Sequence, residues 1–198
     1  MDHLLTSYIL EQNENLFDNT QLRNRRKYNN DFPILLLDAV KLLKSHFISD
    51  RVTQAVLDQI FYYIDCQIFN IFLRQPQLFT ASRGFKIKMA ISQIESSLSK
   101  HSAAFANKQF NYIKEAANLL VMDKSLMADT SLIQQIFSHL NYLQVKHIVE
   151  RFKPDELSPD RTPENVKQTL RDLCLKKENA KLSLDLEPNV IKPINLLL

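Results

Sequence analysis

LDQIFYYIDCQIFNIFLRQPQLFTASRGFKIKMAISQIESSL, residues 57–98, contains two apolar patterns with the period of an α-helix. In the first, which runs to Arg74, apolar residues recur every three or four positions, and a second apolar set fills much of the remaining circumference. Only Asp58, Asp65 and Arg74 carry charge there. Because a helix that is apolar nearly all round is a buried one, we predict that this segment is the central helix of a soluble bundle.

The second pattern lies beyond a short break in the chain. Pro76 disfavours helical backbone in the residues before it, so the first helix should end at Arg74. We expect a helix to resume at Gly84, because apolar residues then continue at helical spacing up to Leu98. Two helices joined by about ten residues can fold back on each other.

Glycine is nearly absent from the sequence, since the 198 residues contain one, against an average of about 7%. Tight hairpin turns and phosphate-binding loops both need glycine, so sheet-rich folds and nucleotide-binding sites are disfavoured. We therefore predict an all-α fold, a multi-helix bundle with a long buried central helix. The net charge of +3 is too small to imply a polyanionic partner without a local patch of charge.

The chain divides into three predicted segments. Residues 1–31 form an N-terminal leader with a basic linker, residues 32–175 form the helical domain, and residues 176–198 form the C-terminal tail. The tail is set apart because leucines alternate with polar residues at 182, 184 and 186, a period of two that is typical of extended chain. We predict that the tail forms an extended C-terminal strap.

The titratable residues do not form a catalytic or metal-binding pattern. His139 and His147 are eight residues apart across a predicted turn, whereas metal-binding helices place histidines four apart. Asp58 and Asp65 share a helix face and could form an acid–base pair, but a solvent-facing stripe or pairing with Arg or Lys explains them better. Cys66 is expected to be an inert core thiol. We predict a non-enzymatic protein without catalytic residues, metal or cofactor.

The cysteines and the N-terminal sequence indicate the cellular compartment of the protein. Cys66 and Cys174 are the only cysteines and have no metal or redox spacing, which fits a reducing compartment. The first residues lack a basic segment followed by an apolar core, so we predict no signal peptide. A transmembrane segment is disfavoured, because each carboxylate of the first helix would cost about 2.5–3.5 kcal/mol in a bilayer. We expect a cytoplasmic protein.

A basic cluster in the leader leaves one alternative function open. Arg23, Arg25, Arg26 and Lys27 lie close together and could bind acidic lipid or RNA. Solvated charge in a linker is the more ordinary explanation, so we expect no nucleic-acid partner.

A second basic group surrounds the break between the two helices of residues 57–98. It consists of Arg74, Arg83, Lys86 and Lys88, and no acidic residue lies between the first and the last of them. Loops held by a rigid scaffold commonly carry function, and a positive field attracts acidic partners. We predict a partner-binding surface here, with a solubilising rim as the alternative.

Several sequence elements carry a resemblance to a known family. They are Leu57 to Ile60 leading into Phe69, Asn70 and Arg74, the Ser82-Arg83-Gly84 junction, Ser92 to Glu95, and Ala116 to Leu120. Over roughly residues 55–175 the chain resembles the dilute (DIL) domain, which lies in the cargo-binding tails of class V and class XI myosins and in afadin-like Ras-associating scaffolds.

The resemblance implies a function for the helical domain. A dilute-type domain would recognise partner proteins on vesicles, organelles or membrane-linked complexes, with small GTPases among the candidates. Two alternatives stay open at this point: a scaffold piece at cell junctions linked to small GTPase signalling, and a nucleic-acid-binding helical protein that uses residues 23–27.

Overall fold

The computed structural model describes residues 10, 34–35, 37–101, 110–176 and 180–184. After the helical residues 37–45, the α-helices are α1 (Asp50–Leu73), α2 (Ala81–His101), α3 (Asn111–Val121), α4 (Thr130–Ile136), α5 (Tyr142–Arg151) and α6 (Glu164–Lys176). No β-strand forms among the described residues, and the predicted all-α bundle is confirmed. The basic cluster predicted at residues 23–27 and the strap position 186 lie outside the described residues.

α1 is the central helix that the sequence predicts. From residue 64 to 73 only Gln67 and Ile71 are not buried, so this half of the helix is enclosed on almost every side. The ring of Phe69 is fully buried and lies 5.8 Å from the ring of Tyr112 on α3. The long buried central helix is therefore confirmed.

A polar side chain caps the start of α1, and a proline follows its end. Ser49 accepts a hydrogen bond from the backbone N–H of Val52 and caps the helix, as the exposed N–H groups of a first turn require. The helix ends before Arg74, ahead of the 3₁₀ helix Pro76–Leu78, as predicted from the proline.

The segment before α1 ends in an unusual backbone conformation. Phe47 has a φ of 58°, in the left-handed region that favours glycine. The N–H of Ile48 donates to the carbonyl oxygen of Leu43, and that of Phe47 donates to the carbonyl of Lys44. These are the bonds of a Schellman motif, in which glycine usually holds the place of Phe47. The Phe47 side chain is 97% exposed.

α2 begins at Ala81, and the predicted start at Gly84 is wrong. Thr80 supplies the cap, because its side chain accepts a hydrogen bond from the N–H of Arg83 and its carbonyl accepts one from Gly84. Glycine is unfavourable inside helices, and for that reason the sequence suggested a boundary there. The glycine is needed instead because another helix, α3, packs closely against this position.

At Gly84, α2 lies in close contact with α3. A Cβ atom at this position would lie 2.7 Å from the Cβ of Leu120 and 2.9 Å from the carbonyl oxygen of Ala117. Non-bonded carbon atoms pack best at about 3.5–4.0 Å. The one glycine of the chain therefore sets the distance between the two helices.

α4 is shorter than its sequence pattern. Helical spacing predicts a helix over residues 129–140, but α4 ends at Ile136. The carboxylate of Glu115 on α3 accepts hydrogen bonds from the backbone N–H groups of residues 138–140. Those N–H groups would donate to backbone carbonyls if the helix continued, and charge-assisted bonds are the stronger ones.

The C-terminal part combines two helices with a segment that bends. Asn141, which precedes an apolar-patterned segment, is predicted from the sequence to cap a helix. The structure confirms this, because Asn141 caps α5 through a capping box with Gln144. Beyond α6, residues 180–184 form neither helix nor strand and bend at 182 and 183, and Leu182 and Leu184 pack against the core. The tail thus packs against the core as a strap would, but its described part bends and is not extended. Among the described helices, none combines the length and apolarity needed to cross a bilayer.

Candidate partner-binding site

The basic residues predicted to bind a partner do not form a single patch. Arg74 is exposed at the end of α1, while Arg83, Lys86 and Lys88 lie in the first half of α2. At 3.6 residues per turn, Lys86 and Lys88 are roughly 200° apart around the helix axis. They therefore lie on opposite edges of the exposed face of α2.

Two apolar side chains occupy the face between these lysines. Phe85 is 50% exposed and Met89, one turn further on, is 48% exposed. This pair was not predicted from the sequence, although its spacing of four residues is visible there. We call Phe85, Lys86, Lys88 and Met89 the α2 surface.

The loop after α5 covers the N-terminus of α2. The N–H of Lys153 donates to the carbonyl oxygen of Phe79 (2.8 Å), and the Asp155 carboxylate accepts from the N–H of Ser82 (2.7 Å). A carboxylate is stabilised at a helix N-terminus, where the free N–H groups carry partial positive charge. Burial raises the pKa of Asp155, but its hydrogen bonds, first that from Ser82, outweigh burial and hold the pKa below its usual value.

His147 connects α5 to the end of α1. Its Nε2 donates to the carbonyl oxygen of Leu73 (3.2 Å), and its Nδ1 accepts from the Arg151 guanidinium (2.9 Å). The bond from Arg151 requires an unprotonated Nδ1 and therefore a neutral ring. Burial lowers the pKa of His147, with the Arg151 charge acting in the same direction. The contacts bring Arg151 to the end of the bundle that carries Arg74, which the sequence alone could not show.

Asp65 is buried, so its predicted position on a solvent-facing stripe or in a pair with Arg or Lys is wrong, whereas Asp58 is exposed. The Asp65 carboxylate accepts hydrogen bonds from the N–H groups of Tyr112 (2.8 Å) and Ile113 (3.1 Å), in the first turn of α3. Burial raises the pKa of Asp65 to about 6, against the lowering effect of these bonds. A side chain of α1 thus caps α3.

Glu115 and Lys124 also hold helix ends. The Glu115 carboxylate bonds Nδ1 of His139 (2.7 Å) as well as the turn after α4. Lys124 is buried, donates to the carbonyl oxygens of Leu120 and Met122, and lies 3.7 Å from the centre of the Phe152 ring. Burial lowers the pKa of Lys124 to about 8. These groups serve the structure of the bundle.

The described residues also lack a metal-binding arrangement. No group of three or more His, Cys, Asp and Glu side chains among them could hold a metal ion. His139 and His147 bond to different helices. Cys66 is fully buried, and burial raises the pKa of its thiol to about 11. Its predicted place as a core thiol is confirmed.

The buried polar groups are thus used to join helix ends, and the rigid helices present apolar and basic side chains to solvent. These features define a helical protein-interaction module.

The chain belongs to the DIL domain family, whose sequence profile matches residues 55–156. DIL domains are interaction modules and not enzymes. The Myosin-H heavy chain of Dictyostelium discoideum is 26% identical over 150 residues, which are 73% of this chain and 8% of that protein. The chain spans less than a tenth of the length of the curated relatives it matches.

Solved structures share the fold. Myo2-GTD in complex with Mmr1 matches with a TM-score of 0.72 at 15% identity, over 92% of this chain and 44% of that one. A myosin V cargo binding domain matches with a TM-score of 0.60 at 17% identity, over 72% of this chain and 37% of that one. At these identities the likeness establishes the fold alone.

Proposed function

We propose that this chain is the cargo-binding module of a dilute-type protein and that its α2 surface binds a partner protein. The observation that carries the proposal is the exposed pair Phe85 and Met89, flanked on its two edges by Lys86 and Lys88. Protein interfaces combine an apolar centre, in which aromatic residues and Met are enriched, with a polar rim. The α2 surface has this arrangement on a rigid helix.

Charge near the α2 surface favours an acidic partner. Arg74, Arg151 and Lys153 lie on the segments that meet at the N-terminal end of α2. The carboxylate of Asp155 offsets part of this charge, but it is engaged with the helix N-terminus. A net positive field speeds the encounter with an acidic partner more than it tightens the complex.

The finer description of the partner is part of the proposal. We propose a protein on a vesicle, organelle or membrane-linked complex, met in the cytoplasm, with small GTPases among the candidates. The match to Myo2-GTD in complex with Mmr1 supports a protein partner for this fold. We propose residues 32–175 as the limits of the module, with residues 1–31 as leader and 176–198 as tail.

The experiment is affinity capture from cytosolic extract on the immobilised chain, with partners identified by mass spectrometry and their binding kinetics then measured. The variant Lys86→Glu/Lys88→Glu should slow association at low salt, and the effect should fade above about 150 mM salt, where exposed charges are screened. The variant Phe85→Ser/Met89→Ser should instead speed dissociation, because packed apolar contacts act mainly on the lifetime of a complex.

A matched control reverses two basic residues elsewhere. Lys41 and Arg51 are both exposed, Lys41 in the helical residues 37–45 and Arg51 in the first turn of α1. The 24 residues of α1 place Arg51 roughly 35 Å from its far end. Lys41→Glu/Arg51→Glu should leave capture unchanged. Equal capture by the parent chain and both α2-surface variants, with melting curves intact, would exclude the α2 surface as the docking site.

A further inference from the structure

The loop between α5 and α6, residues 152–163, contains two dipeptides in which a hydroxyl residue precedes proline, Ser158-Pro159 and Thr162-Pro163. Proline-directed protein kinases accept such dipeptides, because proline brings no backbone N–H that would need a partner in the kinase cleft. The cyclin-dependent class of these kinases also recognises a basic residue at the third position after the acceptor. Arg161 holds that position for Ser158, whereas Asn165 holds it for Thr162.

The structure separates the two acceptor residues by their exposure. Thr162 is 8% exposed, and its hydroxyl donates to the carbonyl oxygen of Val149 (3.4 Å). Ser158 is partly exposed, Leu157 before it is 63% exposed, and residues 159–161 are all exposed. Exposed loops held by a rigid scaffold are common places for function. The kinase sequence around Ser158 is therefore at the surface, whereas Thr162 belongs to the packed bundle.

Ser158 is bonded to the residue that joins this loop to α2. Its N–H donates to Oδ1 of Asp155 (3.1 Å), and the two residues exchange backbone hydrogen bonds of 3.0 and 3.2 Å. The other oxygen of the same carboxylate accepts from the N–H of Ser82 (2.7 Å) at the start of α2. A group added to Ser158 is therefore added beside the carboxylate that holds the loop on α2.

A phosphate on Ser158 would oppose this carboxylate by its charge. Phosphoserine carries a charge of about −1.5 to −2 at pH 7, and beside an aspartate it acts by like-charge repulsion. A phosphate can also bind the N–H groups of a helix N-terminus, but those of residues 82–84 already donate to Asp155 and Thr80. Repulsion should therefore release Asp155 from the start of α2.

We propose that Ser158 is phosphorylated by a proline-directed kinase of the cyclin-dependent class and that the phosphate releases the α5–α6 loop from the N-terminus of α2. In this step Oγ of Ser158 forms a bond to the γ-phosphorus of ATP, and the bond from that phosphorus to its bridging oxygen breaks. The electron pair of the broken bond leaves with ADP, and the hydroxyl proton passes to the catalytic aspartate of the kinase. The site lies outside the α2 surface, so the proposal does not depend on partner docking there.

The first test is phosphorylation of the full chain by a purified cyclin-dependent kinase with its cyclin and ATP. Mass spectrometry should find the phosphate on Ser158 and not on Thr162, and Ser158→Ala should remove it. Arg161→Ala should lower kcat/KM at least about tenfold, because it deletes a charge-assisted contact with the kinase. The matched control Arg51→Ala, at an exposed arginine in the first turn of α1, should leave kcat/KM unchanged.

A synthetic peptide of residues 153–165, KPDELSPDRTPEN, shows whether the folded loop is accessible to the kinase. The kcat/KM of the folded chain should lie within about tenfold of that of the peptide, because a loop that must first unfold reacts more slowly by its open fraction. A larger deficit, no transfer to the folded chain, or phosphate on Thr162 instead of Ser158 overturns the site. Equal rates for Arg161→Ala and the parent chain overturn the assignment to the cyclin-dependent class.

The second test measures release of the loop by hydrogen exchange at the N–H of Ser82, followed by NMR. Phosphorylation should speed this exchange at least about tenfold, since the N–H loses its bond to Asp155. Asp155→Ala removes the acceptor and sets the rate for full release, while kinase-treated Ser158→Ala should exchange like the parent chain. Unchanged or slower exchange in the phosphorylated chain overturns the proposed release.

Discussion

Replacing Gly84 with alanine tests whether close helix packing or local helix propensity governs the start of α2. Judged from propensity alone, the change should stabilise the protein, because alanine is better than glycine inside a helix by about 1 kcal/mol. Judged from the structure, it should destabilise the protein, since the new methyl group would lie 2.7 Å from Leu120 Cβ and 2.9 Å from the Ala117 carbonyl oxygen.

The magnitude follows from which atoms must move. The contacted atoms are a backbone oxygen and a Cβ atom, and neither can rotate away as the end of a side chain can. α2 and α3 must therefore separate by several tenths of an ångström to restore ordinary contact distances. Overpacking of this kind costs about 1–3 kcal/mol. Because neither contacted atom can move alone, we expect the upper part of that range, about 2–3 kcal/mol. After the gain of about 1 kcal/mol in propensity, the net loss is about 1–2 kcal/mol, or about 2–8 °C in Tm for a protein of this size.

The assay is urea denaturation of the purified chain, followed by circular dichroism, with a thermal melt alongside. Ser92→Ala is the matched control, because residue 92 is exposed on the same helix and should gain only a few tenths of a kcal/mol from propensity. A Gly84→Ala variant as stable as the parent chain, or more stable, would refute the argument that Gly84 is present for close packing.

Three further changes test other parts of the structure. Phe69→Ala should lower the unfolding free energy by about 3–5 kcal/mol, because the fully buried ring leaves a cavity; an unchanged denaturation midpoint would contradict its core position. Phe47→Gly should stabilise the chain by about 1 kcal/mol by relieving the left-handed backbone, while His46→Gly beside it should destabilise it; the same sign for both in thermal melts would count against that strain. Burial raises the folded-state pKa of Asp65 to about 6, above the usual value of an aspartate. The stability of the parent chain relative to an uncharged variant therefore falls as pH rises through that pKa. Relative to Asp65→Asn, the parent chain should therefore lose about 2 kcal/mol between about pH 4 and pH 7 in urea titrations, and a pH-independent difference would contradict the raised pKa.

The fold was predictable where one residue pattern has one physical solution. A helix that is apolar on nearly every side can only be buried, so the central position of α1 followed from residues 57–74 without further information. Local signals were also sufficient at Ser49 and Asn141, because a capping side chain bonds to N–H groups within its own first turn.

The polar groups inside the bundle were not predictable in the same way, because their partners lie far along the chain. Asp65 bonds to N–H groups of residues 112 and 113, and Glu115 bonds to those of residues 138–140. In the sequence, an aspartate in an apolar helix looks like a solvent-facing residue, since nothing nearby marks it as the cap of another helix. The early end of α4 has the same origin.

In the predicted docking surface, the spacing of basic residues in the sequence does not give their arrangement around the helix. Lys86 and Lys88 are two positions apart in sequence, but helical geometry separates them and places Phe85 and Met89 between them. Tertiary contacts add Arg151 to the same end of the bundle through His147. The residues that share the exposed face of α2 are therefore better targets for mutation than the basic residues that are merely close in sequence.

The strap shows what a period-two pattern can and cannot specify. Alternating leucines predict extended backbone, but the described segment bends at residues 182 and 183. Outside a sheet, its N–H and C=O groups also lack the partners that a neighbouring strand would provide. In this chain the partners are side-chain amides, and the one within the apolar helix, Asn70, is the amide that takes both backbone groups of Leu184. An isolated amide at a buried position of a helix therefore marks a place where peptide backbone must arrive from elsewhere. Because such an amide binds backbone atoms, the choice of which side chains of the segment face the core rests on Leu182 and Leu184.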